Sequence, residues 1–140
     1  MALKALYQIA IGGMEPDEAL SSVFHENSPR EAEGAAALSW EAMRDYTRAL
    51  VQGVLTHGEA YDAILARYAR DWDPDRMPTV DHILLHIGLE ELLHAKDVPP
   101  GVAINEAVTL AKEYSTEESG KFVNGILGAW SRAEGPEKKS

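Results

Sequence analysis

Residues 79–95 read TVDHILLHIGLEELLHA. Ile83, Leu84, Leu85, Ile87, Leu89, Leu92 and Leu93 are too many and too closely spaced to form one stripe. At about 100° per residue they cover nearly the whole circumference of a helix over about residues 80–95. A helix that is apolar almost all round belongs in the middle of a core, so other helices must surround it. Met77-Pro78 precedes the stretch, Thr79 reads as its N-cap, and Asp97-Val98-Pro99-Pro100-Gly101 breaks it.

The flanking segments supply those neighbours. Downstream, Ile104, Ala107, Val108, Ala111 and Tyr114 stripe one helix, and Phe122, Val123, Ile126, Leu127 and Trp130 stripe the last. Between them, Ser115 and Glu118 have the spacing of a capping box. Upstream, Met43, Thr47, Leu50, Val51 and Val54 mark a long amphipathic helix that Gly58 ends. Gly53 sits inside it at a cost of roughly 1 kcal/mol, which suggests a close helix contact. Tyr61, Ile64, Leu65 and Tyr68 mark the next helix, which Trp72 completes. Pro16, followed by Asp17 and Glu18, opens a short helix carrying Leu20, Val23 and Phe24. His25 to Gly34 reads as a loop. The first helix carries Leu3, Leu6, Tyr7 and Ala10 and stops at Gly12-Gly13. No alternating pattern of useful length occurs, so the reading is all-α, with about seven helices and no strand.

With 140 residues, 45% of them hydrophobic, the chain has the size and composition of one folded domain. It has no cysteine, which excludes disulfides, thiolate metal sites and cysteine nucleophiles. It also lacks an apolar run of membrane-spanning length and the order of a signal peptide, so the expected location is cytoplasmic. The net charge of −10 argues against a general nucleic-acid binder. Only the ends are positive, residues 1–14 at +1 and residues 121–140 at +2. If they meet, they form a small basic face on a protein that otherwise repels anions.

Candidate chemistry is sparse. His82, His86 and Glu90 recur every four residues on the central helix. Histidines at i and i+4 share a face and can share a metal, but two turns separate the outer pair. The set reads as a solvated polar sector, and no metal is expected. Glu91-Leu92-Leu93-His94 matches one Glu-x-x-His element of a di-iron bundle, and the required second element is missing. Glu91 falls within the apolar arc of Val80, Leu84 and Ile87, so it requires a hydrogen-bonding or charged partner. No phosphate loop, nucleophile elbow or zinc-protease motif is present, so neither an enzyme nor a cofactor is expected. Lys121-Phe122-Val123-Asn124-Gly125 is more informative. Phe122 lies at the edge of its stripe beside a cation and an amide, where it can serve as a core residue or stack on an unpaired base.

Five segments together resemble the NusB family of transcription antitermination factors. They are Asp97-Val98-Pro99, Val102 to Val108 (VAINEAV), Leu110-Ala111-Lys112, Ser119, and Lys121 to Leu127 (KFVNGIL). Ala5-Leu6-Tyr7-Gln8 is similar to that family's first helix. Tyr46-Thr47-Arg48, Leu50-Val51 and Gly53-Val54 are similar to its third. The resemblance implies an all-helical, NusB-like domain over residues 1–132, built from two small helical bundles. The N-terminal helices would occupy residues 1–72 and the C-terminal helices 79–132, with a disordered tail over 133–140. It implies a protein that pairs with ribosomal protein NusE, binds boxA-like single-stranded RNA in ribosomal transcripts, and joins the RNA polymerase antitermination complex. Lys4, Tyr114, Glu117, Glu118, Lys121, Phe122 and Asn124 would then form the RNA face. Asp81, His86 and Glu90 would face the basic NusE, where negative charge steers association.

Two departures qualify the implication. Members of the family usually carry an arginine-rich stretch before the first helix, and only Lys4 stands there in this sequence. An arginine usual in the central helix is His86. Fewer phosphate contacts imply weak RNA binding alone and stronger binding with NusE. The alternative is a protein-interaction module with weak or lost RNA binding. Fusion to a ribosomal-RNA methyltransferase does not suit a chain without a cofactor-binding half. The resemblance leaves a homodimer open.

Overall fold

Pro16 cannot donate a backbone hydrogen bond and so sits where a helix needs none, at its first position. The computed structural model, which describes residues 1–29, 33–70 and 73–136, starts a helix there. Among the described residues six helices follow one another: α1 (Ala2–Ala10), α2 (Pro16–Asn27), α3 (Ala35–Tyr68), α4 (Thr79–His94), α5 (Pro100–Tyr114) and α6 (Glu117–Ala133). Among the described residues there is no strand, and no helix is long and apolar enough to cross a membrane. The chain divides into two compact units, Met1–Gly53 and Val54–Ser140. They part inside α3, upstream of the junction read between residues 72 and 79.

In the first unit α1 packs on α2, and Ala5, Leu6, Ala19, Leu20, Val23 and Phe24 are buried. The Phe24 ring meets the Trp40 ring edge-on at 6.3 Å and carries the Arg48 guanidinium 5.5 Å from its centroid. Lys4 pairs with Glu26 on the surface of this unit.

In the second unit α4 is the central element and packs on both α5 and α6, which pack on each other. Every residue from Ile83 to Leu92 is buried, as the apolar circumference required. Gly88 lets α6 approach closely: a β-carbon there would lie 2.5 Å from Cδ1 of the buried Leu127. Val123, Ile126, Leu127 and Trp130 form the buried stripe of α6.

Five local readings change. The segment read as two helices is one 34-residue helix, α3, which runs through Gly58 without a break. His25 to Asn27 belong to α2 rather than to a loop, and Arg30, Glu31 and Ala32 lie outside the described residues, as does Trp72. The α6 cap is Thr116 rather than Ser115: its Oγ1 accepts from the Ser119 N–H at 3.0 Å. Thr79 is the first residue of α4, and Pro78 holds the cap position. Glu134, assigned to the disordered tail, continues the end of α6 through a 2.8 Å bond from its N–H to the Trp130 carbonyl. Its carboxylate accepts from the Tyr68 hydroxyl and pairs with Arg67 at 3.2 Å.

One buried contact joins α3 to α4. The Tyr61 hydroxyl, on a side chain 2% exposed, donates to Glu90 Oε1 at 2.6 Å. Glu90 is 7% exposed and also accepts from His57 Nδ1 at 2.9 Å. Burial and the neighbouring carboxylate push the Tyr61 phenol far above its ordinary range, so it remains a donor. Tyr61→Phe keeps the ring and removes the donor. It is expected to lower stability by about 1–3 kcal/mol in chemical denaturation, because a buried acceptor loses its bond. An unchanged denaturation midpoint would show that the contact contributes nothing.

Candidate functional site

Two polar regions stand out in the second unit. The first is a seam between the C-terminal half of α3 and α4. Four of the chain's five histidines lie on it: His57 on α3, and His82, His86 and His94 on α4. Asp62 Oδ1 lies 2.7 Å from His82 Nε2 and 2.8 Å from His86 Nε2. Burial raises the Asp62 carboxyl, but the bonds and charges of the two histidines outweigh it and hold the carboxyl below its ordinary range. Burial pushes the His86 imidazole down, against the pull of Asp62. About two turns beyond His86 on α4, His94 stacks on His57 at 4.8 Å between ring centroids. Two triads along the seam, Asp62–His82–His86 and His57–Glu90–His94, each bring three ligand-type atoms within 4.8 Å of one another.

The histidines and Glu90 therefore do not form the solvated sector read from the central helix. Glu90 and His86 are buried, and His82 is half-buried. Asp81, read as facing a partner, is 4% exposed. Its Oδ2 accepts from the Ser119 hydroxyl of α6 at 2.8 Å, and its Oδ1 has no hydrogen-bond partner. Asp81, His86 and Glu90 thus serve as internal ties of this unit and not as an open acidic row. The sequence alone could not pair them, because their partners on other helices are 24 to 38 residues away. Glu91 is buried, as its place in the apolar arc implied.

The second region is an open cleft of about 330 Å³ where the turn before α4 meets the start of α6. Phe122, Glu118 and Ser119 line it from α6, and Asp81 from α4. Arg70 and Arg76 line it from the segment between α3 and α4. The Phe122 ring is half-buried, as its position at the stripe edge suggested. Lys121 and Asn124 are exposed beside it, and Lys121 Nζ lies 3.6 Å from a Glu118 carboxylate oxygen. Tyr114, at the end of α5, is 60% exposed. Glu117 is exposed and lies 4.0 Å from Lys112. The second unit thus groups six of the seven candidate RNA residues around the α5–α6 turn and the start of α6. Lys4 belongs to the first unit, and Lys138 and Lys139 lie outside the described residues.

Arg70 and Arg76 were missed in the sequence. Their only signal was the recurrence of arginine around the Asp73-Pro74-Asp75 turn, which by itself reads as ordinary surface charge. Arg76 also lies 3.3 Å from Asp73.

Comparison with known proteins identifies the family. The sequence matches the NusB family over residues 1–132. It is 41% identical over 129 residues to the transcription antitermination protein NusB of Symbiobacterium thermophilum, across 92% of this chain and 83% of that protein. The fold is similar to that of T. maritima NusB, with a TM-score of 0.80 and 30% identity over 96% of this chain and 88% of that one. It is also similar to antitermination factor NusB solved with NusE and dsRNA, with a TM-score of 0.78 and 30% identity over 94% of this chain and 91% of that one. With nearly its whole length matched, the chain belongs to the NusB family.

Proposed function

We propose that this chain is a non-catalytic, cytoplasmic transcription antitermination factor that grips boxA-like single-stranded RNA together with ribosomal protein NusE. The observation that carries the reading is the Phe122 ring, half-buried in an open cleft with two arginines on its walls. A ring held on one side by a helix and open on the other is suited to stack an unpaired base, whichever base it is. Arg70, Arg76 and Lys121 supply positive charge for flanking phosphates, and Asn124 supplies an amide for base edges.

Tyr114, Glu117 and Glu118 frame the entrance in this reading. The homologue solved with NusE and dsRNA supports both kinds of partner. The preference for unpaired RNA rests on the half-buried ring, which can stack only on a base that has left its own stack. Assembly with RNA polymerase follows from the antitermination role. A NusE-only interaction module is the second reading. It draws on the carboxylates that already occupy Lys121 and Arg76 and compete with phosphate.

Phe122→Ala is expected to weaken binding of boxA-like RNA by roughly 1–3 kcal/mol in the presence of NusE, with Phe122→Trp retaining it. Unchanged affinity of the alanine variant would reject the stacking role.

Salt dependence separates the two readings. Each phosphate neutralised on single-stranded RNA contributes about 0.7 to the slope of log affinity against log salt. A slope near two, with tighter binding when NusE is added, fits the few cations at the cleft. A slope indistinguishable from zero would favour the interaction module.

A further inference from the structure

We propose that Asp62, His82 and His86 form a binding site for a divalent transition-metal ion of the zinc class, clamping α3 to α4. The three residues come from two helices and converge on one point. His82 and His86 stand one turn apart on the same face of α4. Both direct Nε2 at the same atom, Asp62 Oδ1, at 2.7 and 2.8 Å, and the three candidate ligand atoms lie within 4.8 Å of one another. A carboxylate oxygen only accepts, so without a metal each Nε2 presents a hydrogen to it. A cation between the three satisfies the same oxygen and takes the place of those two hydrogens. Ligand atoms around a tetrahedral zinc with bonds of about 2.0–2.2 Å are about 3.3 Å apart, so the triad needs side-chain movements of only a fraction of this separation.

The surroundings hold the ligands in place. The His86 ring meets Tyr61 edge-on at 5.8 Å and His82 at 4.4 Å, with interplanar angles of 86° and 76°. Gly58 of α3 faces His86 without a side chain, at the distance where a β-carbon would touch the ring edge, 3.8 Å. His86 is buried while Asp62 and His82 are half-buried, which anchors the site on one side and leaves an entry on the other. Two imidazoles and one carboxylate suit zinc and leave a fourth position for water, whereas magnesium and calcium require oxygen ligands. The second triad is a poorer host. Glu90 Oε1 already accepts from the Tyr61 hydroxyl, and His57 and His94 stack nearly parallel at 19° instead of converging. The sequence concealed the site because its carboxylate is 20 residues upstream of His82 on another helix.

The test is calorimetric titration of the full chain with zinc at neutral pH, with thermal melting in the presence of zinc or magnesium. The expected result is one zinc per chain and a rise in Tm with zinc and not with magnesium. Asp62→Asn and His82→Gln are each expected to weaken zinc binding by roughly tenfold or more. His94→Gln, which keeps both donors to Glu90 in place, should leave it unchanged. Visible absorption of the cobalt-loaded unsubstituted chain should show the intense bands of a tetrahedral nitrogen and oxygen site, a readout that does not depend on any variant folding. Absence of zinc binding, binding indifferent to Asp62→Asn and His82→Gln, or loss only in His94→Gln would each overturn the proposal.

Discussion

A carboxylate at the centre of the core imposes the main constraint on the second unit. Glu90 belongs to a helix whose other sides are filled by leucine and isoleucine, and an unpaired charge there costs several kcal/mol. The chain meets this demand from α3, where the Tyr61 hydroxyl and the His57 ring both donate to Glu90. The bond fixes the register of α3 against α4. With that register set, Asp62 falls opposite His82 and His86, and two turns further on Ala69 and Arg70 reach the wall of the cleft. A second buried tie, Ser119 to Asp81, sets the start of α6 against the start of α4 and carries Phe122 to the same cleft. Two buried acids therefore orient both walls of the candidate RNA site.

This constraint also explains why α3 is unbroken. Gly58 read as the end of a helix, because a glycine inside a helix costs roughly 1 kcal/mol. His57 and Tyr61 flank that glycine one turn apart, and both must reach Glu90. A break between them would leave the carboxylate short of a donor, at a greater cost than the glycine imposes. Tertiary demand overrides local propensity at that point.

What was legible in the sequence followed local periodicity. The burial of α4 and the stripe of α6 depend on neighbours three and four residues apart, and so does the half-exposed position of Phe122. What was hidden depends on pairs 20 to 38 residues apart: Asp62 with His82, Tyr61 with Glu90, and Asp81 with Ser119. Helical spacing placed His82, His86 and Glu90 on one face correctly. It could not show that another helix covers that face, because polar residues on a central helix look the same whether water or a buried partner satisfies them.

The charge balance around the cleft is consistent with binding that depends on a partner. Lys121 lies beside Glu118, Lys112 beside Glu117, and Arg76 beside Asp73. Exposed pairs of this kind are worth about 0–1 kcal/mol each, so a phosphate can displace the carboxylate at little direct cost. The displaced acids remain nearby, however, and repel a polyanion within roughly a Debye length. A net charge of −10 adds to that repulsion. A basic protein bound to this chain would offset the field without touching the cleft, leaving Phe122 and the arginines to engage RNA. Selectivity then comes from acids and cations that nearly cancel until the partner arrives, and a surplus of arginine would abolish it by attracting any RNA.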